Sequence, residues 1–219
     1  MNATTVALFT SAVATFFVVI DPPGCAPIFA SLTSGASSGH RHRMALRSTL
    51  TAGAILIFFA ILGRPLLKTL GVSLDAFRVA GGLMLFLIAI DMVFEKRTER
   101  REDRAAEVRE DCAEAQVPVA EVDISVFPMA IPMIAGPGSI ASVMLQVARA
   151  DDWTERAIVL GALATVLLLT LAALLAAGPL MAFLGRRIET MITRLLGVVL
   201  AALAAQFVID GIRRAFHLG

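Results

Sequence analysis

Apolar residues in this chain fall in long runs, and charged residues collect between them. Runs long enough to cross about 30 Å of hydrocarbon, which takes roughly 20 residues, cover 6–32, 45–63, 77–94, 124–148, 157–183 and 195–212. A soluble helix would instead alternate apolar and polar faces along its length. The pattern predicts an all-α membrane protein of six transmembrane helices. Two runs are interrupted: the first by Asp21-Pro22-Pro23-Gly24, the fourth by Ala135-Gly136-Pro137-Gly138. Proline removes an N–H and clashes with the preceding turn, and glycine beside it lets the backbone unwind. Helices 1 and 4 are therefore expected to be broken.

Composition agrees. Of 219 residues, 58% are hydrophobic, against about 45–50% in a soluble domain, and the mean hydropathy is +0.81. The net charge of +1 offers nothing to nucleic acid. Cys25 and Cys112 are too far apart in sequence to suggest a disulfide framework. His40, His42 and His217 fall in predicted loops or at the terminus, so no buried His-based metal or catalytic site is expected. The N-terminus lacks a basic region ahead of its apolar run, which reads as a retained first span and not a cleaved signal.

Residues 95–123 are dense in alternating Glu and Arg. Such a run reads as a solvated linker, helical at its start, with no chemistry of its own. Lys and Arg set the orientation. Twelve lie in the first loop, the linker and the loop between the fifth and sixth runs, against seven on the other side. The richer side is expected to be cytoplasmic, with both termini outside and the chain in a bacterial inner membrane.

Fixed-offset matches divide the chain. Pro23-Gly24 maps onto Pro137-Gly138, Pro65-Leu66 onto Pro179-Leu180 and Leu70-Gly71 onto Leu184-Gly185 at an offset of 114, and Arg78-x-x-Gly81 onto Arg194-x-x-Gly197 at 116. The expected organisation is a three-helix repeat at 1–94, the linker at 95–123, and a second repeat at 124–219. With three spans in each half, the second lies inverted relative to the first. Inverted repeats with a Gly/Pro-interrupted span at matching places point to the binding site of a secondary transporter. Unwound backbone survives at membrane depth only where it is buried in protein or lines a polar cavity. Each break also starts a new helix whose free N–H groups attract an anion.

The candidate substrate-binding residues are thus Asp21, Pro23, Gly24 and Cys25 at the first break, and Gly136, Gly138, Ser139 and Ser142 at the second. Asp21 reads equally as an intramembrane functional carboxylate and as the N-cap of the following half-helix. The glycines expose backbone, while Ser139 and Ser142 offer hydroxyls that could also bond back to their own helix. Asp91 and Asp210 lie near span ends, where charges reach water, and are otherwise gate or proton residues. Gln206 reads as interhelical glue or as a third gate residue. Arg78 and Arg194 are expected to pair with Asp75 and Glu189.

The chain resembles the MarC family of integral membrane proteins. The resemblance rests on Val18-Val19-Ile20-Asp21-Pro22-Pro23-Gly24 with Pro27-Ile28-Phe29, and on Phe77-Arg78-Val79-Ala80-Gly81-Gly82-Leu83 with Ile90-Asp91-Met92. It rests equally on Ala130-Ile131-Pro132-Met133-Ile134-Ala135-Gly136-Pro137-Gly138-Ser139-Ile140 and on Gln206-Phe207-Val208-Ile209-Asp210-Gly211-Ile212. Where the family pattern runs Asp-Pro-Ile/Val-Gly-Asn, this chain carries an extra proline and Cys25 in place of the Asn. The resemblance implies a transporter of small neutral amino acids, of glycine or alanine size, coupled to H+ or Na+. No Walker motif or cofactor signature is present, and no enzymatic activity is expected. The alternatives are an intramembrane enzyme using Asp21, Asp91 and Asp210, or a passive channel.

Overall fold

The structure, a computed structural model, describes residues 3–119, 122–150 and 152–216. These are helical, with no strand among them. Helices α1 (Ala3–Ile20) and α2 (Pro22–Leu32) make up the first span, and α3 (Ser38–Thr69) and α4 (Leu74–Val93) follow it. Helix α5 (Lys96–Glu114) leads to an irregular wide-turned segment, Ser125–Ile134. Helices α6 (Pro137–Arg149), α7 (Trp153–Leu175) and α8 (Ala177–Ala215) complete the chain.

The apolar surface faces outward, as lipid demands. Leu50, Ile61, Leu87, Leu168 and Leu195 are each more than 60% exposed, a distribution that water would not tolerate across so many long helices. Five helical stretches are long and apolar enough to cross a membrane, and a sixth is reached if Ser125–Ile134 and α6 count as one bent span. The protein is an all-α multi-pass membrane protein.

The elements differ from the expected spans in three places. The fifth span stops at Leu175, and Ala176 begins a turn into α8. What read as a basic loop before the sixth span is the first part of the 39-residue α8. The fourth run is not a helix with one break. Phe127 and Ile131 are extended, as residues before Pro128 and Pro132 are biased to be, and both X-Pro bonds are cis. Regular helix begins only at Pro137, at a 55° bend. Being 13 residues long, α6 covers only about 20 Å at 1.5 Å per residue, less than the hydrocarbon thickness.

Two apolar clusters hold the bundle. One joins Phe16 and Phe29 to Leu56, Met129, Ile134 and Val166. The other lies between α4 and α8, around Leu85, Ala89, Met92, Leu200, Ala204 and Phe207. A Cβ on Gly82 would meet Val208 at 2.7 Å and the Ala204 carbonyl at 2.9 Å, and one on Gly197 would meet Met92 at 2.8 Å. Contacts pairing the start of α4 with the end of α8, and the reverse, define an antiparallel pair. Small residues permit that approach, which van der Waals packing rewards in lipid.

Candidate functional site

The first break is narrower than its sequence suggests. Only Asp21 leaves the helical region, at φ 58° and ψ 66°, a left-handed conformation that Asp tolerates better than most residues. The span 5–32 otherwise continues through it. Pro22 and Pro23 have no N–H to give, so the carbonyls of Val18 and Val19 lose their intrahelical donors. The Gly24 N–H turns to Asp21 Oδ1 at 3.2 Å, which removes the helical donor for Ile20. The Cys25 N–H returns to the Asp21 carbonyl at 3.1 Å. Helix α2 is thus capped by Asp21 and presents no bare amide for a ligand, contrary to the symmetric expectation for the two breaks. The orphaned groups are instead the carbonyls that end α1.

Donors for two of those carbonyls, Val19 and Ile20, come from the charged run. Arg97 Nη2 donates to the Val19 carbonyl at 2.6 Å. Arg101 Nη1 donates to Asp21 Oδ2 at 2.8 Å, and its Nη2 reaches the Ile20 carbonyl at 3.4 Å. Asp21 is wholly buried and the Arg101 side chain is 5% exposed. The expectation of a solvated tether is therefore overturned. Helix α5 docks on α2 and α4 and buries Arg101, Ala105, Val108 and Cys112. Their spacing of four, three and four residues was the available signal, a stripe on one helical face. The density of charge around it read as solvent.

Beyond the arginines lies a cavity of about 310 Å³. Its floor is the second break, Gly136, Pro137, Gly138 and Ser139, with Val19 and Ile88 beside it. Arg97, Arg100, Arg101 and Arg104 line the α5 side, and Asp91 of α4 is the one carboxylate among the lining residues. Arg100 pairs with Asp91 and Arg101 with Asp21. Arg104 is in no ion pair among the described residues. Burial, and then the neighbouring Arg101, push the Arg97 guanidinium down to about 10, so it stays charged at neutral pH. The N-terminus of α6 has no side-chain cap. With Pro137 lacking a donor, the first-turn amides of Gly138 and Ser139 are left for an acceptor. Positive helix pole and guanidinium groups converge on one small volume, an arrangement suited to a carboxylate.

Of the residues singled out from the sequence, Gly136, Gly138, Ser139 and Asp91 line this cavity. Asp21, Pro23, Gly24 and Cys25 do not. Asp21 and Gly24 are occupied with Arg101 and each other, Pro23 is half-buried, and Cys25 is fully buried with its thiol directed to the Ile20 carbonyl at 3.6 Å. Ser142 is also fully buried and outside the lining, and its hydroxyl has no partner among the described residues. Asp210 and Gln206 belong to a separate cluster. Arg149 Nη2 donates to Asp210 Oδ2 at 2.6 Å, and Gln206 Nε2 to Asp210 Oδ1 at 2.7 Å. Gln206 thus bonds within its own helix, and the cross-helix link is Asp210 to Arg149. Arg78 pairs with Asp75 at 2.6 Å as expected, whereas Arg194 pairs with Glu95 instead of Glu189. Asp21, Asp91 and Asp210 each face a different arginine, and no two share a partner. The residues missed from sequence are Arg97, Arg100, Arg101 and Arg104.

A model of the MarC family integral membrane proteins matches residues 6–216. A UPF0056 membrane protein of Methanocaldococcus jannaschii is 36% identical over 207 residues, covering 94% of this chain and 97% of its own. The UPF0056 membrane protein YvbG of Bacillus subtilis is 32% identical, with 91% and 92% covered. YhcE of Escherichia coli is 30% identical, with 91% and 89% covered. No solved structure matches. With a family match across nearly its whole length and relatives alike from end to end, the chain belongs to the MarC family of integral membrane proteins.

Proposed function

We propose that the protein is a secondary transporter of small neutral amino acids, with the cavity at the second break as its solute site. The observation that carries this reading is the uncapped α6 N-terminus facing Arg97 and Arg104 across a volume of amino-acid size. The solute carboxylate sits on the Gly138 and Ser139 amides and between the two guanidinium groups. The ammonium turns to Asp91, the carboxylate on the cavity wall, which it shares with Arg100. Orientation follows the basic-residue bias: α5 is cytoplasmic, the cavity lies at that end of the bundle, and both termini are outside the inner membrane. Gradient coupling through H+ or Na+ drives the cycle, and rocking of one half against the other exposes the site alternately.

Uptake of labelled glycine or alanine into proteoliposomes of the purified protein tests this. Saturable accumulation that needs an ion gradient supports it. Flux that only dissipates gradients replaces it with a channel, and no flux of any small neutral amino acid overturns it. Gly138→Val should cut uptake by roughly tenfold or more, the equivalent of one charge-assisted hydrogen bond, while the protein still inserts. A Cβ at Gly138 meets Ile88 at 2.4 Å, so the first turn of α6 must shift.

A further inference from the structure

The end of α1 gathers oxygens that the spans satisfy only in part, through the Gly24 N–H on Asp21 Oδ1 and the Cys25 thiol on the Ile20 carbonyl at 3.6 Å. The carbonyls of Val19 and Ile20 have lost their helical donors, and the fully buried Asp21 carboxylate shares the Arg101 guanidinium with Ile20. They stand at the negative pole of α1. Every cation that fills this oxygen cluster is tethered to α5, a helix outside the candidate spans. Arg101 reaches Asp21 and Ile20, and Arg97 reaches Val19. From the other flank α8, which packs on α2, brings Glu189 into electrostatic range of Arg101. One turn further along α8, the hydroxyl of Thr193, only 2% exposed, has no partner among the described residues.

We propose that Val19 O, Ile20 O and the Asp21 carboxylate form a site for a monovalent alkali-metal cation, which the Arg97 and Arg101 guanidinium groups occupy in this conformation. When α5 withdraws, the cation takes the place of the guanidinium groups, and its entry is coupled to solute movement. The inference rests on the transporter reading for that coupling, but not for binding. The chemistry selects the ion class. One carboxylate with neutral carbonyls balances a single positive charge, whereas Ca²⁺ or Mg²⁺ calls for more carboxylate or water oxygens. No group of three or more His, Cys, Asp or Glu suited to a metal occurs among the described residues. A proton would neutralise Asp21 but leave the Val19 carbonyl without a donor and the Ile20 carbonyl with only the weak Cys25 thiol, at a cost that buried backbone groups rarely bear. An alkali cation satisfies all three oxygens at once, as half-helix C-termini and unwound carbonyls do in other transporters.

The test uses the full chain in detergent. Arg97→Ala/Arg101→Ala empties the cluster, and its thermal unfolding is compared in sodium, potassium and choline chloride at equal ionic strength. The expected result is a melting point several degrees higher in Na+ or K+ than in choline, with the difference abolished when Asp21→Asn is added. Equal melting of Arg97→Ala/Arg101→Ala in all three salts overturns the proposal. Should the variant not fold, wild type decides. Alkali cation should speed tryptic cleavage after Arg100 and Arg104 of α5 several-fold over choline, and an unchanged rate refutes the exchange. Uptake in proteoliposomes separates the two claims. Accumulation driven by H+ alone, in the absence of any alkali-cation effect, leaves the transporter reading standing and removes this one.

Discussion

Asp21 makes one distorted residue serve three contacts. Its left-handed backbone lets Oδ1 cap Gly24 while Oδ2 faces Arg101. Removing a carboxylate from a buried pair strands the other charge, at a cost of about 3–5 kcal/mol. Asp21→Ala should therefore lower the melting point sharply in a detergent thermal ramp, and Asp21→Asn less so, because its amide oxygen still caps Gly24. Gly24→Ala should also destabilise, since its Cβ would lie 2.2 Å from Asp21 Oδ2 and 2.4 Å from Arg101 Nη1. Gly161→Ala is the control. Nothing lies within 4 Å of a Cβ there, and alanine in a helix gains up to about 1 kcal/mol over glycine. On the solute side, Arg104→Gln should weaken binding about fivefold, near 1 kcal/mol for a half-exposed charged donor, with no change in melting point.

At the scale of elements, what sequence shows and what it hides divide by the kind of force involved. The spans were legible because lipid imposes a length and a polarity that each run must meet alone. The break at Gly136-Pro137-Gly138 was legible because proline and glycine act locally. Helix α5 was not, because its docking depends on groups created elsewhere. Pro23 and the capped Gly24 take helical donors from Val19 and Ile20, and Arg97 and Arg101, one helical turn apart, replace them. Neither segment states that need by itself. The irregular stretch from Ser125 to Ile134 was misread as helix for the opposite reason: its apolar composition suits a span, while two prolines forbid a continuous ladder. The docking of α5 has a direct check. Arg101→Gln should free α5 and raise the rate of tryptic cleavage within it, measured by mass spectrometry of the fragments, whereas Arg109→Gln, whose contact to Ser31 is at the exposed surface, should change the rate little.

Across the whole molecule, α4 packs antiparallel to α8 through small residues. The halves are unlike at their breaks. The first is a single left-handed residue capped by its own carboxylate, and the second is a 55° bend with an uncapped helix start. The α5 arginines face both: Arg97 and Arg101 bond the first break and line the cavity whose floor is the second. The orientation carries its own prediction: a cysteine-reactive probe that cannot cross the membrane should reach Glu107→Cys from the cytoplasmic side only. The central claim is that the α6 N-terminus holds a carboxylate, and it is tested most directly by an experimental density map of the protein with glycine or alanine. The account predicts a small zwitterion with its carboxylate on the Gly138 and Ser139 amides, close to Arg97 and Arg104, and its ammonium toward Asp91. A saturated map with that volume empty, or with the solute bound elsewhere, would contradict it.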